Sequence, residues 1–415
     1  MDIKAALNKL FSMHQFGIKL GLEQINKLLE HVGNPHKNLK AFHVAGSNGK
    51  GSTASFIASI LMEAGYKVGL YTSPHFVRFN ERIRINGRMI DDEYIANFVT
   101  GLEKYIEKNE PTFFEVTTAL ALKYFADQKV DYAVIETGLG GRLDATNVIH
   151  PIASVITSIS LEHTQYLGNT IEQVAFEKAG IIKPKTIIFT GRMPKRAQKV
   201  IHEKAKELDC QFLPIESFTK KEDERVKLAF REKSFSIYST PLRGEHQLYN
   251  SALAVKVLNE SLGIGDGLTL AKGIKDVIKN TGIAGRYEIV NCQPKIIFDS
   301  AHNTEGVKSF TDEFKKEYRN YLERVLIFGA LKDKAITEML VLLKPYFNKI
   351  FVTHIQIDRS ASIQELTEIA NAQDVKTLSL SNPADFIKQF SKEEGNKCLV
   401  ALGSMYLLGE IKSKM

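Results

Sequence analysis

The segment GSNGKGST, residues 46–53, most constrains what this chain can fold into. It follows a short apolar run at 41–45 and precedes a segment whose apolar residues recur with helical spacing. Glycines let backbone N–H groups close around phosphate oxygens, and a helix N-terminus adds a favourable dipole. Lys50 can then reach the terminal phosphates, and a hydroxyl of Ser52 or Thr53 can ligate Mg²⁺. The segment therefore predicts a strand, a nucleotide triphosphate loop and a helix.

The match to the generic phosphate-loop motif is a variant one. Position 44 is Val where that motif has its first glycine, and Gly51 separates Lys50 from the hydroxyl. The alternative is a glycine-rich turn between a strand and a helix that holds no ligand. The surrounding strand and helix pattern favours phosphate.

The rest of the chain alternates short β-branched runs with longer segments of helical period, which predicts an α/β fold with a mostly parallel sheet. A length of 415 residues exceeds what one core usually organises. We place a linker at 281–286 and predict an N-terminal domain at 1–284 and a smaller α/β domain at 285–415. The predicted strands lie at 41–45, 67–71, 132–135, 153–156 and 185–189, which closes the first series, and at 295–298, 325–328, 350–353 and 397–401.

Two stretches have other patterns. Residues 218–239 mix charges with partly alternating apolar residues, which predicts a peripheral antiparallel hairpin, with a solvated insert as the alternative. Residues 247–262 and 268–280 have helical period and lead into the linker.

Charge and cysteine content narrow the function classes. The chain has 55 Lys and Arg against 48 Asp and Glu, a net charge of +7, which suits anionic small molecules as well as nucleic acid. Three distant cysteines lack metal-binding spacing and favour a reducing compartment. Because no signal-peptide core or long apolar run is present, we expect a soluble cytoplasmic protein.

Polar residues follow several predicted strands. Glu136 ends one strand and precedes glycines, as a Mg²⁺ ligand or a loop-capping carboxylate would. His163 follows another strand end, although a lone loop histidine is more often a surface residue. Lys178 ends a helix, where a lysine complements the helix dipole, so position alone makes it structural. Residues 299–303, DSAHN, follow the first strand of the second domain.

The motifs GSNGKGS, ETGLGGRLDATN, LEHTQYLG, EKAGIIKP, HQLYNSALA, AGRYE and DSAHN occur here in the order found in the Mur ligase family. Residues 72–87, TSPHFVRFNERIRING, resemble the substrate loop of its folate branch, the folylpolyglutamate and dihydrofolate synthases. The resemblance runs from about residue 10 to the C-terminus and includes the variant phosphate loop. It implies a P-loop ATPase-type domain of the Mur ligase central type, followed by a smaller Rossmann-like domain.

The resemblance also implies a reaction. A folate carboxylate attacks the γ-phosphate of ATP to form an acyl phosphate, and the amino group of L-glutamate displaces phosphate. The expected requirements are ATP, two Mg²⁺ ions and carbamylated Lys178, with K⁺ as a further cation. The expected partners are folate or dihydropteroate, L-glutamate and ATP, bound by a monomer that uses neither nucleic acid nor a membrane.

Site residues carry over by the same resemblance. Lys50, Lys178 and His302 are the catalytic candidates. ATP is assigned to Asn48, Gly49, Lys50, Gly51, Ser52, Asn250, Arg286 and Asp299. Metal is assigned to Ser52, Glu136, His163 and Lys178. Substrate is assigned to Ser73, Arg82, Thr112, Phe113, Phe114, Glu115, Leu143, Asp144, Ala145 and His302, and core packing is an equal interpretation of Phe113 or Phe114 alone.

Three alternatives stay open at this point. A peptidoglycan ligase of the same family would need an additional N-terminal domain, and about 40 residues precede the first predicted strand. A nucleotide-binding module without catalysis has no need to keep Glu136, His163 and Arg286 together. Nucleic-acid binding fits the basic charge, but no recognition motif or concentrated basic stripe is present. The sequence does not decide between one glutamylation activity and two.

Overall fold

The structure, a computed structural model, describes residues 2–13, 17, 19–230 and 234–415. Contacts divide these residues into two compact units. The first unit comprises Met1–Pro74, Phe79–Pro241 and Leu248–Gly282, and the second comprises His75–Arg78, Leu242–Gln247 and Ile283–Met415. The predicted domain limits, 1–284 and 285–415, stay a prediction.

The first unit is built on a sheet that, within the described residues, has eight strands in the order β4-β3-β2-β5-β1-β6-β7-β8. All neighbours from β2 to β8 pair in parallel, and β3 and β4 pair antiparallel at one edge. The carboxyl ends of the parallel strands therefore meet at one edge of the sheet, where ligands of α/β proteins gather. The strands are β1 (Ala41–Ala45), β2 (Val68–Tyr71), β3 (Ile83–Ile85), β4 (Arg88–Met89), β5 (Tyr132–Glu136), β6 (Ala153–Ile156), β7 (Ile187–Thr190) and β8 (Gln211–Pro214).

Helices cover the sheet because each buries an apolar side. One core cluster packs residues of 6–29 and 95–125 against the sheet, and another packs residues of 167–205. The sequence starts two of these helices with capping boxes, at Thr112 and Thr170, which satisfy orphan N–H groups. The helices up to the linker are α1 (Ile3–Ser12), α2 (Glu23–His31), α3 (Lys50–Glu63), α4 (Asp92–Gly101), α5 (Glu103–Asn109), α6 (Phe113–Asp127), α7 (Thr164–Leu167), α8 (Ile171–Ala179), α9 (Lys195–Glu207), α10 (Glu245–Leu262), α11 (Gly267–Lys275) and α12 (Val277–Thr281).

The charged segment after β8 forms a small antiparallel sheet in the order β11-β10-β9. The prediction of an antiparallel hairpin is thus correct in kind, with a third strand added. Residues 231–233 of that prediction lie outside the described residues. The strands are β9 (Thr219–Glu222), β10 (Arg225–Ala229) and β11 (Ser234–Ile237).

The second unit contains a separate sheet which, as far as the structure describes it, has the order β12-β13-β17-β14-β15-β16. β12 pairs antiparallel with β13, and the remaining pairs are parallel. Apolar clusters cover both faces. The elements are β12 (Glu288–Cys292), β13 (Lys295–Asp299), α13 (Thr304–Phe314), β14 (Glu323–Phe328), α14 (Ile336–Leu343), β15 (Lys349–Val352), α15 (Ile363–Asn371), β16 (Leu378–Ser379), α16 (Pro383–Phe390), β17 (Lys397–Leu402) and α17 (Met405–Lys414).

The predicted fold class is confirmed, and three local predictions need correction. β7 does not close the first series, because the amphipathic helix α9 returns the chain to add β8 in parallel. The helix predicted at 268–280 is two helices, which part at Asp276. The antiparallel edge strands were also missed: β3 and β4 have three and two residues, too few for a clear alternation, and β12 has no buried residue that would give an apolar signal. No described helix is long and apolar enough to cross a membrane.

Candidate active site

The glycine loop between β1 and α3 is held in shape by residues that follow β6. The Ser47 N–H donates to Ser158 O at 2.9 Å, and the Asn48 N–H donates to Ser158 Oγ at 2.9 Å. Thr157 Oγ1 donates to Asn48 O at 2.6 Å. Because these bonds come from the protein itself, the loop has its shape without help from a ligand.

Two glycines of this loop are required by space as well as by backbone angle. Gly46 has φ 148°, and a Cβ there would lie 2.0 Å from Thr157 Oγ1. Gly49 has φ 84°, and a Cβ there would lie 2.8 Å from Asn250 Oδ1. Only glycine fits both demands. The second distance also places Asn250 of α10 beside the phosphate loop.

Two lysines converge on the first carbonyl of the loop. Lys50 Nζ donates to Gly46 O at 2.7 Å and to Ser47 O at 3.1 Å. Lys178 Nζ donates to the same Gly46 O at 3.0 Å and to Glu162 Oε1 at 2.7 Å. The side chains of Lys178 and Glu162 are 1% and 8% exposed. Lys178 lies in the last turn of α8, as its position in the sequence indicates, and in addition its side chain is buried and paired with Glu162.

The electrostatics of this cluster favour an anion. Burial lowers the pKa of Lys178, Glu162 opposes the change, and Lys50 adds to it. Burial acts to raise the pKa of Glu162, but Lys178 and Lys50 outweigh burial and bring that pKa below its usual range. One carboxylate therefore faces two basic side chains at the start of the phosphate loop. Because Lys178 is paired with Glu162, Lys50 is the basic side chain left for the phosphates of ATP.

A metal ion would find suitable donors nearby. Ser52 Oγ and Thr53 Oγ1 are buried and have no hydrogen-bond partner among the described residues. Glu136 ends β5, is 4% exposed, and accepts from the Ser73 N–H at 3.0 Å. No cluster of three or more His, Cys, Asp or Glu residues that could hold a metal occurs in the described ranges. A magnesium site would therefore depend on hydroxyl and phosphate oxygens as well as on Glu136, which is how Mg²⁺ is usually held.

His163 directly follows Glu162 and precedes α7. Its backbone is left-handed, with φ 45°. An electrostatic interaction with His163 contributes to lowering the pKa of Glu162. His163 therefore interacts with Glu162, the residue that pairs with Lys178.

Thr112 and Glu115, assigned to substrate by resemblance, make a capping box at the start of α6. The Thr112 N–H and Oγ1 donate to Glu115 Oε2 at 2.7 and 2.8 Å, and the Glu115 N–H donates to Thr112 Oγ1 at 3.3 Å. Both residues are buried. Their side chains therefore hold the helix start in place, which fixes the two phenylalanines between them.

The rings of those phenylalanines face other aromatic and basic groups. Phe113 stacks on Phe11 with ring centroids 5.9 Å apart, and the Arg82 guanidinium lies 5.2 Å from the centre of the Phe113 ring. Phe114 stacks on Tyr71 at 6.1 Å. Core packing thus accounts for one side of each ring. Arg82 and Phe113, both predicted substrate residues, are brought together.

Asp144 organises the glycine loop after β5. Its Oδ2 accepts from the N–H groups of residues 138–139 at 3.0 and 2.7 Å, and its Oδ1 accepts from the N–H and Oγ1 of Thr146. Burial raises the pKa of Asp144, against these donors. Leu143, half-buried, and Ala145, buried, flank it. The three residues assigned to substrate therefore lie on one rigid turn.

In the second unit, Asp299 ends β13 and is held by backbone donors. Its Oδ2 accepts from the Tyr287 N–H at 2.7 Å, and its Oδ1 accepts from the Ala301 N–H at 2.8 Å. Burial raises the pKa of Asp299 to about 6, although those donors and Arg286 act in the opposite direction. The carboxylate therefore ties the segment after the linker to the end of β13.

Ser300 joins the other two predicted residues of this unit. Arg286 Nη1 donates to Ser300 Oγ and to Gly285 O. His302 Nδ1 lies 2.9 Å from Ser300 O. Because a carbonyl oxygen only accepts, Nδ1 carries the proton, and in the neutral ring Nε2 has the lone pair. Arg286, Asp299 and His302 thus share one cluster.

Sequence reasoning missed the residues that support the site. Glu162 pairs with Lys178, and Thr157 and Ser158 hold the phosphate loop. A signal was available, since all three follow the carboxyl end of a predicted parallel strand, where polar residues meet the residues of neighbouring strands. The pairing itself depends on which strands are neighbours.

The comparisons with known proteins agree with this geometry. The Mur ligase middle domain family matches residues 44–258, and the glutamate ligase domain family of Mur ligases matches residues 285–405. A dihydrofolate synthase/folylpolyglutamate synthase of Bacillus subtilis is 36% identical, over 97% of this chain and 96% of the relative. The Escherichia coli FolC structure in complex with DHPP and ADP has TM-score 0.88 and 30% identity, over 100% and 97% of the two chains. A bifunctional folylpolyglutamate synthase/dihydrofolate synthase with Mn, AMPPNP and L-glutamate bound has TM-score 0.85 and 28% identity, over 100% and 98%.

Proposed function

The chain belongs to the folylpolyglutamate synthase/dihydrofolate synthase branch of the Mur ligase family, and on that basis we propose how its site joins L-glutamate to folates and to dihydropteroate. It is an ATP-dependent ligase. The observation that carries the proposal is the position of Lys50 Nζ at the first carbonyl of the phosphate loop, Gly46 O, in the same loop as a buried hydroxyl of Ser52 that has no partner among the described residues. That arrangement suits a triphosphate.

In the first step, a carboxylate oxygen of the folate substrate attacks the γ-phosphorus of ATP. A P–O bond forms, the bond to the bridging β,γ-oxygen breaks, and the products are an acyl phosphate and ADP. Lys50 releases its two loop carbonyls and binds the phosphate oxygens, where it offsets the negative charge of the transferring group. Catalysis of this step is mainly positioning and electrostatics.

In the second step, the amino group of L-glutamate attacks the acyl carbon and inorganic phosphate leaves. The amine must lose a proton, because a protonated ammonium has no lone pair. We assign the proton to His302, whose Nε2 has the lone pair when Nδ1 donates to Ser300 O. Exclusion of water protects the acyl phosphate from hydrolysis until the amine arrives.

Magnesium fits the residues at the phosphate loop. Ser52 and Glu136 would hold one ion with phosphate oxygens, and His163 and Lys178 would serve a second. When bound, the metal neutralises phosphate charge and orients the γ-phosphoryl group. K⁺ is a further expected cation that rests on the resemblance.

Lys178 is proposed to be carbamylated. Carbamylation replaces a basic side chain with an anion of the kind that Mg²⁺ prefers. The buried position of Lys178 beside Glu162 supports the proposal, because an ammonium removed from water has a lowered pKa and loses its proton more easily to become a nucleophile for CO₂.

The remaining residues keep the roles given by the resemblance. Asn48, Gly49, Gly51, Asn250, Arg286 and Asp299 are proposed to bind ATP. Ser73, Arg82, Thr112, Phe113, Phe114, Glu115, Leu143, Asp144, Ala145 and His302 are proposed to bind the folate and L-glutamate. The resemblance also supports a cytoplasmic monomer with neither nucleic acid nor a membrane as partner.

The test is phosphate release by purified protein with ATP, Mg²⁺, bicarbonate and L-glutamate, with dihydropteroate and tetrahydrofolate offered separately. Turnover with both is expected, and Lys50→Ala should abolish it, which controls for contaminating ATPase. Turnover with tetrahydrofolate alone would narrow the proposal to polyglutamylation. If the protein binds ATP but turns over neither dihydropteroate nor tetrahydrofolate, the proposed function is overturned.

A further inference from the structure

A histidine buried in the central sheet connects to the loop that Asp144 organises. His43, on β1, is 0% exposed, and its Nε2 lies 2.8 Å from Thr146 Oγ1. Thr146 is also 0% exposed, and both its N–H and its Oγ1 bond to Asp144 Oδ1. The three side chains form one hydrogen-bonded relay from the sheet to the loop.

The direction of the hydrogen bonds in this relay follows from counting donors. Burial raises the pKa of Asp144, but three backbone N–H groups, from residues 138–139 and 146, donate to its carboxyl group and oppose that rise, so we take the group as ionised. A carboxylate only accepts, so Thr146 Oγ1 donates to it. Thr146 Oγ1 then accepts from His43, which carries its proton on Nε2.

The rest of the His43 environment agrees with a neutral ring. Burial, with a smaller contribution from Lys183, lowers the pKa of His43 to about 3. His43 Nδ1 is buried and has no hydrogen-bond partner in the described part of the chain. A buried ring nitrogen without a hydrogen is more easily tolerated without a hydrogen-bond partner than a buried N–H group is.

The loop held by this relay also contacts the catalytic lysine. Asn147 Nδ2 donates to Arg142 O at 2.9 Å and to Gly180 O at 3.0 Å. A Cβ at Gly141 would lie 2.9 Å from Lys178 O. The turn at 138–147 is therefore packed against the end of α8. A movement of Asp144 would disturb this packing.

We propose that His43 is a positioning residue for the folate substrate. Through Thr146 it fixes the carboxylate of Asp144, and so the turn at 143–145 that binds the pterin-bearing half of the substrate. The inference rests on the proposed function, because the substrate role of that turn does. His43 touches neither substrate nor ATP, so its effect should appear in folate binding and spare ATP binding.

The first test is spectroscopic and does not depend on activity. Two-bond ¹H–¹⁵N correlation spectra of ¹⁵N-labelled protein distinguish the two neutral histidine tautomers from the imidazolium. Comparison with His43→Phe assigns the signal. A neutral ring with the proton on Nε2, unchanged between about pH 6 and 8, is expected. A proton on Nδ1, or an imidazolium, would overturn the relay.

The second test is a double-mutant cycle on Michaelis constants. His43→Phe and Thr146→Val should each raise KM for the folate substrate about fivefold, as expected for one lost hydrogen bond, and leave KM for ATP within about twofold. Because both act through one relay, the double variant should be no worse than the worse single variant. Thr146→Ser keeps the hydroxyl and should restore the folate KM.

Ser154→Ala is the matched control. Ser154 is paired with His43 in the sheet register, is equally buried, and donates to Ile181 O, away from Asp144. It should leave both KM values within about twofold, as expected for a residue outside the relay. Additive effects in the cycle, or equal rises in both KM values, would refute the proposal. A wild-type protein inactive with both folates would instead refute the proposed function, and the tautomer would still decide the relay.

Discussion

Lys178 Nζ lies 2.7 Å from Glu162 Oε1, with the two side chains 1% and 8% exposed. The same nitrogen donates to Gly46 O at 3.0 Å, so the pair links the end of α8 to the phosphate loop. A buried ion pair of this kind costs free energy to desolvate and is strongly destabilising when one partner is removed. Because the pair lies beside the phosphate loop, we attribute its presence to function and not to stability.

Removing the carboxylate of this pair should be costly. In protein prepared without bicarbonate, in which Lys178 is unmodified, Glu162→Gln is expected to lower the free energy of unfolding by about 3–5 kcal/mol, because Lys178 then stays buried without its counter-charge. Denaturant unfolding measures the change. The control is Glu177→Gln, which breaks a more exposed pair with Arg142 and should change stability by no more than about 1 kcal/mol. Equal effects of the two substitutions would contradict the assignment of Glu162.

Lys178→Arg tests carbamylation. Arginine keeps the positive charge but does not form a carbamate, so kcat should fall at least about 100-fold with loss of the second metal site. Wild-type protein in ¹³C-bicarbonate should show a carbamate carbon signal that this variant lacks. Lys183→Arg, at a half-buried lysine that binds Asn147 O, is the control and should keep both activity and the signal. A variant Lys178→Arg with normal kcat would exclude the carbamate.

The two orphan hydroxyls at the start of α3 can be told apart by substitution. Ser52→Ala should raise the Mg²⁺ concentration for half-maximal activity at least about tenfold, because the metal loses an oxygen donor. Thr53→Val removes the neighbouring buried hydroxyl, which is also unpartnered, and should leave that concentration unchanged. Titration of activity with Mg²⁺ at saturating ATP gives both values. If Thr53→Val raised the required Mg²⁺ concentration and Ser52→Ala did not, the metal ligand would be Thr53 and not Ser52.

A methyl group at Gly46 should disrupt the phosphate loop. Gly46→Ala places a Cβ 2.0 Å from Thr157 Oγ1 at φ 148°, whereas Gly65→Ala has φ 90° with nothing within 4 Å. Gly65→Ala should cost only backbone strain, about 1–2 kcal/mol. Gly46→Ala should lose nucleotide binding, which fluorescence of a labelled ATP analogue measures. Normal binding by Gly46→Ala would show that the loop adapts.

Asp299 should make stability depend on pH in a direction that can be checked. Burial raises the pKa of Asp299 from 3.8 to about 6 in the folded protein. Ionisation is therefore harder in the folded than in the unfolded state, so the protein loses stability as pH rises through this range. The stability of wild type relative to Asp299→Asn should fall by on the order of 2–3 kcal/mol between about pH 4 and 7. Thermal or chemical unfolding at several pH values measures the difference.

Asp266→Asn is the contrasting control for that measurement. Asp266 is exposed at the start of α11, and hydrogen bonds from Thr269 lower its pKa. Ionisation of Asp266 is therefore favoured by folding, so wild type should gain relative to this variant as pH rises. The same sign for both variants would contradict the burial argument for Asp299.

Local pattern was enough for the inner parallel strands of both large sheets. The run at 41–45 before a glycine loop predicted β1 to the residue, the strand at 153–156 was equally exact, and the one at 295–298 ends one residue early. These elements carry their own signal in apolar period and flanking glycines. β8 was missed because its four residues end in proline, are partly exposed, and form a strand only by pairing with β7.

The site divides in the same way. The phosphate loop could be read from its glycines and lysine, because the chemistry lies within eight consecutive residues. Family motifs supplied Lys178, whose local sequence suggests only a helix end. Neither route indicated Glu162 as its partner or Thr157 as the support of Gly46, since these contacts join residues 16 and 111 positions apart.

The sequence by itself therefore determined the α/β class, the phosphate loop and the family, because each is written in short contiguous segments with a fixed physical meaning. Only the tertiary structure decided which side chains share a buried environment. It buries Lys178 with Glu162, and it links His43 through Thr146 to Asp144. Desolvation and hydrogen bonding act between residues that the fold brings together, and no local pattern states which residues those are.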